Sequence, residues 1–134
     1  MMNLTEFLFP ATARRSVMGI LSWWEGRRLK FNLLVGASGV LSLVMVRIFT
    51  WLPPDSRVFP FPLRIVLAFG VAANICYTFG PAIEIGAEKL FGRKLLPIGP
   101  TLYRMGLTFS LGLTQMPTLI AGFSWAVRIL KALL

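Results

Sequence analysis

Histidine is missing from this sequence, and cysteine and acidic residues are scarce: 134 residues hold one cysteine and five Asp or Glu. Without histidine there is no Ser-His-Asp triad and no imidazole ligand for a metal, a haem or a chlorophyll. The lone Cys76 has no partner for an internal disulfide, and a metal cage needs more ligands. The sequence also lacks a GxSxG motif, a Walker loop and a CxxC pair. We therefore expect no enzymatic activity, no bound metal and no cofactor held by side-chain ligation.

Apolar residues dominate what remains. They make up 56% of the chain, and charged residues make up 14%, whereas charged residues are about a quarter of an ordinary soluble domain. Three apolar stretches, at about 31–52, 65–83 and 105–127, each approach the roughly 20 residues that a helix needs to cross a bilayer. The sequence predicts an all-α integral membrane bundle of three transmembrane helices, over about 31–52, 63–83 and 101–130.

The segment before the first apolar stretch is amphipathic. Val17, Ile20, Leu21 and Trp24 share one helical face, and basic residues lie at both ends of residues 14–30. This pattern favours an interfacial helix that precedes the bundle, so the chain divides into residues 1–30 and 31–134. The four-residue spacing of two Trp–Arg pairs predicts guanidinium groups stacked on indoles: Trp23 with Arg27, and Trp24 with Arg28. Tryptophans that flank the spans are the expected anchors at the membrane surface: Trp23, Trp24 and Trp51.

The net charge of +9 is distributed unevenly around the three stretches. Nine basic residues lie before the first span or between the second and third, and five lie on the other side. The positive-inside rule then predicts a cytoplasmic N-terminus and a C-terminus on the opposite side, which is the periplasm if the membrane is a bacterial inner membrane. Basic residues in these positions contact anionic lipids, so we do not expect binding to nucleic acid.

Small residues recur at four-residue spacing in two of the spans. Such stripes allow close approach of helix backbones in lipid. Two interpretations stay open: packing between the second and third spans, or an interface with a partner protein. The stripe of the third span is Gly106, Ser110, Thr114, Thr118, Gly122 and Ala126, and that of the second span is Ala68, Ala72, Cys76 and Gly80.

Several polar residues lie within the spans or where they meet the predicted inner face. Asn74, with Tyr77 and Thr78, is either a binding site or a set of structural hydrogen bonds between helices. We expect Glu25 and Glu84 to pair with Arg27, Arg28 or Lys89 rather than to act as an acid–base pair.

Two segments resemble a signature of small uncharacterised bacterial polytopic membrane proteins. Residues 23–32, WWEGRRLKFN, fit WWExRRLxxN, and residues 73–84, ANICYTFGPAIE, fit ANxCYxxGxxxE; residues 106–110, GLTFS, add to the similarity. The resemblance implies no catalytic residue, since that set has no established activity. It draws attention to one polar cluster that would fix the helix pairing: Glu25, Arg28, Asn32, Asn74, Tyr77 and Glu84.

These observations predict a non-catalytic accessory subunit of a larger bacterial inner-membrane complex. The subunit would bridge helices of other integral membrane subunits and hold lipid, pigment or quinone tails. A photosynthetic reaction-centre–light-harvesting assembly is the most specific host that we expect. The alternative is a small homo-oligomeric transporter or channel with a polar patch at Asn74, Tyr77 and Thr78.

Overall fold

The structure is a computed structural model, and it describes residues 16–56, 60, 62–91 and 98–134. Three α-helices occupy them: α1 (Val17–Trp51), α2 (Leu63–Phe91) and α3 (Gly99–Leu133). The described part contains no strand, and all three helices are long and apolar enough to cross a membrane. The all-helical class and the three candidate spans are thus confirmed. Five basic residues used in the sequence analysis lie outside the described residues: Arg14, Arg15, Arg57, Arg93 and Lys94.

The first helix runs without a break through the predicted boundary at residue 30. It begins after Ser16, whose Oγ accepts a hydrogen bond from the Gly19 backbone N–H at 3.1 Å, and it ends where Leu52 turns extended before Pro53. Between these points the sequence has no proline. Gly26 lies close to the predicted boundary, and one glycine destabilises a helix by only about 1 kcal/mol relative to alanine. The segment before the first span is therefore the first part of α1, and no separate helix precedes it in the described residues.

The second helix also continues past its expected end near residue 83. Pro81 removes one backbone hydrogen bond, yet α2 extends to Phe91. Residues on both sides of Pro81 are held by another helix, because Gly80 and Glu84 both contact Trp24 of α1. These contacts stabilise the helical turn that the proline weakens.

Contacts between side chains fix the directions of the helices. Ser38 pairs with Thr114 and Ser42 with Thr118, so α1 and α3 run parallel. Trp24 pairs with Glu84 and Asn32 with Asn74, so α2 runs antiparallel to α1. We call the end of the bundle where α1 and α3 begin the Trp24 end, and the opposite end the Trp125 end.

The buried apolar core lies toward the Trp24 end. It consists of Ile20, Trp24, Phe31 and Val35 of α1 with Ala73 and Tyr77 of α2. Elsewhere the apolar side chains point outward: the most apolar 18-residue window of α3 has no buried residue. This outward apolar surface is the arrangement expected of a multi-pass membrane protein.

Candidate functional site

A buried junction at the Trp24 end joins all three helices, and we call it the junction cluster: Trp24, Tyr77, Gly80, Glu84, Gly99 and Tyr103. The indole Nε1–H of Trp24 donates to Glu84 Oε2 at 2.6 Å, and the Tyr77 hydroxyl donates to the Trp24 backbone carbonyl at 2.6 Å. Trp24 is only 2% exposed, and Tyr77 and Glu84 are each 5% exposed. Buried polar groups cost free energy unless they are paired, so these two bonds fix the register of α1 against α2.

Two glycines allow the close approach that the junction cluster requires. A Cβ at Gly80 would overlap the ring of Trp24, and a Cβ at Gly99 would lie 2.5 Å from Glu84 Oε2. Gly99 is the first residue of α3, whose N-cap residue, Ile98, provides no side-chain hydrogen bond. The carboxyl group of Glu84 therefore lies at the N-terminal end of α3, where the helix dipole favours negative charge.

Aromatic rings surround these hydrogen bonds. Trp24 and Tyr77 meet edge to face with centroids 5.3 Å apart, and Tyr103 of α3 lies 6.2 Å from Trp24. Phe31 approaches Tyr77 at 4.7 Å, and Trp23 approaches Tyr103 at 6.2 Å. Pairs in this geometry contribute about 0.5–1.5 kcal/mol each beyond the burial of their area. The ring of Tyr103 thus brings α3 into contact with both α1 and α2.

Charged side chains of α1 lie on the rim of the junction cluster. The guanidinium of Arg27 lies 3.9 Å from the Trp23 ring centroid, which confirms that predicted stacking. Arg28 instead lies 5.2 Å from the Tyr77 ring, because Trp24 points into the bundle. Arg28 also forms a 2.7 Å ion pair with Glu25, as expected for Glu25. Both partners are partly exposed, so the pair stabilises the fold by at most about 1 kcal/mol.

A second polar contact joins α1 to α2 further along the helices. Asn74 Nδ2 donates to Asn32 Oδ1 at 3.0 Å, and Asn32 Nδ2 donates back to Asn74 Oδ1 at 3.3 Å. Asn74 also donates to the Gly70 carbonyl, and its own carbonyl accepts from Thr78. These are structural hydrogen bonds between and within helices, one of the two roles predicted for Asn74.

A third polar layer joins α1 to α3 near the middle of both helices. The hydroxyls of Ser38 and Thr114 lie 2.7 Å apart, and Gln115 Nε2 donates to both the carbonyl and the hydroxyl of Ser38. Thr118 donates to Ser42 at 2.9 Å. Sequence reasoning missed Ser38, Ser42 and Gln115. The sequence does carry a signal for the two serines, because they lie four residues apart on α1, as their threonine partners do on α3.

The Trp125 end is closed by contacts from α3 to the end of α1. Trp125 Nε1 donates to the Pro53 carbonyl at 3.1 Å, and Arg128 donates to the carbonyls of Phe49 and Asp55. The rings of Phe49 and Trp125 lie 5.7 Å apart. Carbonyls near a helix end lack intrahelical partners, and these side chains supply donors to them.

The two small-residue stripes behave differently. In α3, Ser110 and Thr114 are buried, Thr118 and Gly122 are partly buried, and Gly106 and Ala126 are exposed. In α2, only Gly80 packs against another helix, and Ala68, Ala72 and Cys76 are exposed. The interpretation that these three residues pack against the third span is therefore wrong. The inner face of α2 lies one residue further along, at Ala73, Tyr77 and Pro81, because Tyr77 pairs with α1. The partner-interface interpretation of Ala68, Ala72 and Cys76 stays a prediction.

The predicted polar cluster is divided among three adjacent contacts rather than gathered in one. Tyr77 and Glu84 meet at Trp24, Asn32 meets Asn74, and Arg28 meets Glu25 while lying over Tyr77. Of the predicted surface anchors, Trp51 is 70% exposed and Trp23 is partly buried. Trp24 is corrected from surface anchor to core residue, because its N–H reaches the carboxyl group of Glu84.

Comparison with known proteins gives no match to a family model, to a curated protein or to a solved structure. The resemblance to small bacterial polytopic membrane proteins therefore stays a prediction.

Proposed function

We propose that this chain is a non-catalytic accessory subunit of a larger bacterial inner-membrane complex, where it bridges the helices of other integral membrane subunits. One observation carries the proposal: polar side chains inside the bundle are bonded to one another, while the outer surface is apolar. The buried Trp24–Glu84 pair and the Ser38–Thr114 pair join helices of this chain to each other. Such contacts fasten helices and offer no reacting group to a substrate.

The exposed small residues of α2 support contact with another subunit. Ala68, Ala72 and Cys76 follow one another at four-residue spacing, and all three are exposed. In a bilayer, helices associate by close packing at small residues, since lipid tails are as apolar as leucine. A transmembrane helix of a neighbouring subunit fits this face in size and polarity.

The distribution of basic residues supports a cytoplasmic location for the Trp24 end. Among the described residues, the basic side chains at that end are Arg27, Arg28, Lys30, Lys89 and Arg104, and four lie toward the other end: Arg47, Arg64, Arg128 and Lys131. By their position in the sequence, Arg14, Arg15, Arg93 and Lys94 add to the first group, and Arg57 adds to the second. By the positive-inside rule, this distribution supports a cytoplasmic N-terminus and a periplasmic C-terminus.

The most specific host that we propose is a photosynthetic reaction-centre–light-harvesting assembly. In such a host the chain would act as a scaffold, since it has no histidine to ligate a pigment magnesium. Its outward aromatic and methionine side chains, such as Phe109 at 70% and Met116 at 52% exposure, would contact pigment or quinone tails.

Purification from the native membrane in a mild detergent, followed by mass spectrometry and an absorption spectrum, tests the proposal. We expect stoichiometric co-purification with other integral membrane subunits, and pigment absorption if the host is photosynthetic. Recovery of the chain alone would contradict the accessory role. A colourless multi-subunit complex would contradict the photosynthetic host and support the accessory role.

The homo-oligomeric channel has less support from the geometry. Tyr77 is buried and its hydroxyl is bonded to the Trp24 carbonyl, while the Asn74 amide is bonded to Asn32 and Gly70. A water-filled path along these residues would have to break those bonds. A stable homo-oligomer that conducts ions, and loses conduction on Asn74→Leu, would favour the channel over the accessory subunit.

A further inference from the structure

The first half of α2 is not fastened to the other helices, and we call residues 63–72 the α2 arm. Nine of its ten residues are exposed, and only Phe69 is partly buried. Among the described residues, no side chain of the arm forms a hydrogen bond or an ion pair with α1 or α3. Phe69 packs against the buried core, so the arm contacts the rest of the bundle mainly through one aromatic ring.

The second half of α2, in contrast, is fastened at several points. Asn74 exchanges amide hydrogen bonds with Asn32, and Tyr77 donates to the Trp24 carbonyl. Glu84 accepts a hydrogen bond from the Trp24 indole. All of these contacts lie at Asn74 or beyond it, so they hold α2 toward the Trp24 end and leave the arm outside them.

The other two helices are joined to each other at the depth of the arm. The Ser42–Thr118 hydrogen bond lies ten residues beyond Asn32 along α1, which is the level of residue 64 in the antiparallel α2. Most of the contact between helices in the described part of the chain is between α1 and α3. The arm therefore runs past a pair of helices that is held together without it.

A weak point of α2 lies where the arm meets the fastened half. The Asn74 side chain donates to the Gly70 carbonyl at 3.0 Å, and the Thr78 hydroxyl donates to the Asn74 carbonyl at 2.9 Å. A side chain that bonds the carbonyl four residues earlier competes with the helix and often bends it. Gly70 adds to this, because a glycine in a helix interior destabilises it.

The bilayer does not press the arm against the bundle. Lipid tails are as apolar as leucine, so no hydrophobic effect drives the apolar side chains of the arm toward α1 and α3. Segments with few buried contacts change position at a low cost in free energy. The arm thus combines few contacts with a weak point at its base.

We propose that the α2 arm is a hinged element, which swings about the Asn32–Asn74 contact while α1 and α3 stay fixed to each other. From Asn74 to Ile65 the helix rises by about 14 Å, so a swing of about 20°, the average tilt of a transmembrane helix, moves Ile65 by about 5 Å. Ala68 and Ala72 lie on the arm, so the swing changes the angle at which their small-residue face meets a neighbouring helix. The inference rests on the membrane placement in the proposed function and does not require a partner subunit.

Double electron–electron resonance between nitroxide labels tests the swing, with the whole chain in phosphatidylglycerol–phosphatidylcholine nanodiscs. The labels are attached to introduced cysteines in a Cys76→Ala background. Ile65→Cys with Leu41→Cys reports on the arm, and Leu41→Cys with Met116→Cys is the control that joins α1 to α3 at nearly the same depth. All three labelled positions are exposed. The distance distribution of the arm pair should be broader than that of the control by about 5 Å, the displacement of Ile65. Equal widths would overturn the proposal.

A third label pair locates the hinge. Leu29→Cys with Phe79→Cys joins α1 to α2 at the Trp24 end, and both positions are exposed. Because α2 is fastened there, this distribution should be as narrow as that of the control pair. A distribution as broad as that of the arm would mean that all of α2 moves, which contradicts a hinge at Asn74.

Two alanine substitutions test the weak point without moving the labels. Gly70→Ala should narrow the distribution of the arm pair toward that of the control, because it strengthens the helix and its Cβ meets open space. Gly86→Ala makes the same change in the fastened half, also in open space, and should leave the distribution unchanged. Circular dichroism verifies that both variants are helical. An unchanged arm distribution in helical Gly70→Ala would overturn the hinge.

The same preparations separate this proposal from the proposed function. A chain that does not insert into nanodiscs has no membrane placement, and both proposals fail. A chain that inserts, co-purifies with other subunits from the native membrane and gives equal widths leaves the accessory role intact and overturns only the hinge. A broad arm distribution in a chain that is recovered alone supports the hinge and contradicts the accessory role.

Discussion

At the scale of single residues, Trp24 contributes three contacts to the pairing of α1 with α2. Its indole N–H bonds Glu84, its backbone carbonyl accepts from Tyr77, and its ring covers Gly80. A tryptophan is favourable in a core where its N–H finds an acceptor, and here the acceptor is a buried carboxyl group. The residue that looks like a surface anchor in the sequence is therefore the centre of the junction cluster.

Trp24→Phe should lower the free energy of unfolding by about 1–3 kcal/mol, because Glu84 loses a buried donor while the aromatic ring is kept. Trp51→Phe is the matched control. Trp51 is 70% exposed, so the same change there should stay within about 0.5 kcal/mol. Unfolding by dodecyl sulfate in mixed micelles, followed by circular dichroism, measures both. Equal effects of the two substitutions would argue against the Trp24–Glu84 bond.

Gly80→Ala tests the close approach of α2 to Trp24. The added methyl would overlap the indole, and overpacking of this kind costs about 1–3 kcal/mol, which exceeds the gain of about 1 kcal/mol in helix propensity. Gly86→Ala is the control on the same helix, because its Cβ would meet open space. In the same unfolding assay we expect Gly80→Ala to destabilise the protein and Gly86→Ala to be neutral or stabilising. A neutral Gly80→Ala would mean that Trp24 is not seated on Gly80.

At the scale of elements, the bundle is held by polar layers at successive depths. The junction cluster joins all three helices, the Asn32–Asn74 pair joins α1 to α2, and the Ser38–Thr114 layer joins α1 to α3. Each layer pairs residues at one register only, since a shift of one residue would turn the side chains away from each other. The layers therefore specify which helix faces meet, a task that apolar side chains in lipid perform poorly.

A double-mutant cycle on Asn32→Leu and Asn74→Leu should give a coupling free energy between about 0.6 kcal/mol, the average for hydrogen bonds between transmembrane helices, and about 1.7 kcal/mol, the largest value for such bonds. A second cycle, Asn32→Leu with Thr114→Val, is the control, because those residues belong to different layers. Their effects should add within about 0.5 kcal/mol. No coupling between the two asparagines would contradict the reciprocal amide bonds.

The sequence predicts the helices better than it predicts their faces. Apolar runs of about 20 residues suffice to identify three spans, and the third span matches α3 to within a few residues at each end. The faces depend on contacts between residues far apart in sequence, such as Trp24 with Glu84, 60 positions away. In α2 the small residues at 68, 72 and 76 are a regular pattern, but the buried face follows Tyr77 instead. Likewise, the basic residues up to Lys30 favour a boundary there, whereas the absence of proline from residue 16 to residue 52 permits the continuous helix that α1 forms.

At the scale of the whole molecule, the bundle presents apolar surface around most of its circumference. Leu67 is 60% exposed on α2 and Phe123 is 74% exposed on α3, whereas in a soluble protein large patches of this kind mark interaction sites. Lipid covers such surface without specificity, so a partner must be recognised by shape. The face of α2 formed by Ala68, Ala72 and Cys76 is exposed, and its small side chains allow a second helix to approach closely.

Ala72→Phe should therefore weaken the proposed association with other membrane subunits while leaving the bundle folded. A phenyl ring in the middle of the small-residue face holds a neighbouring helix away from the α2 backbone. The amount of partner recovered with the tagged chain should fall by about tenfold, the effect of losing roughly 1.4 kcal/mol of binding free energy. Ala37→Phe is the control, because Ala37 is also exposed and lies at nearly the same depth on α1. If Ala37→Phe reduces recovery as much as Ala72→Phe does, the partner is held by the apolar surface in general. If neither substitution changes recovery, the partner contacts another face of the bundle, and the small-residue face of α2 is not its binding surface.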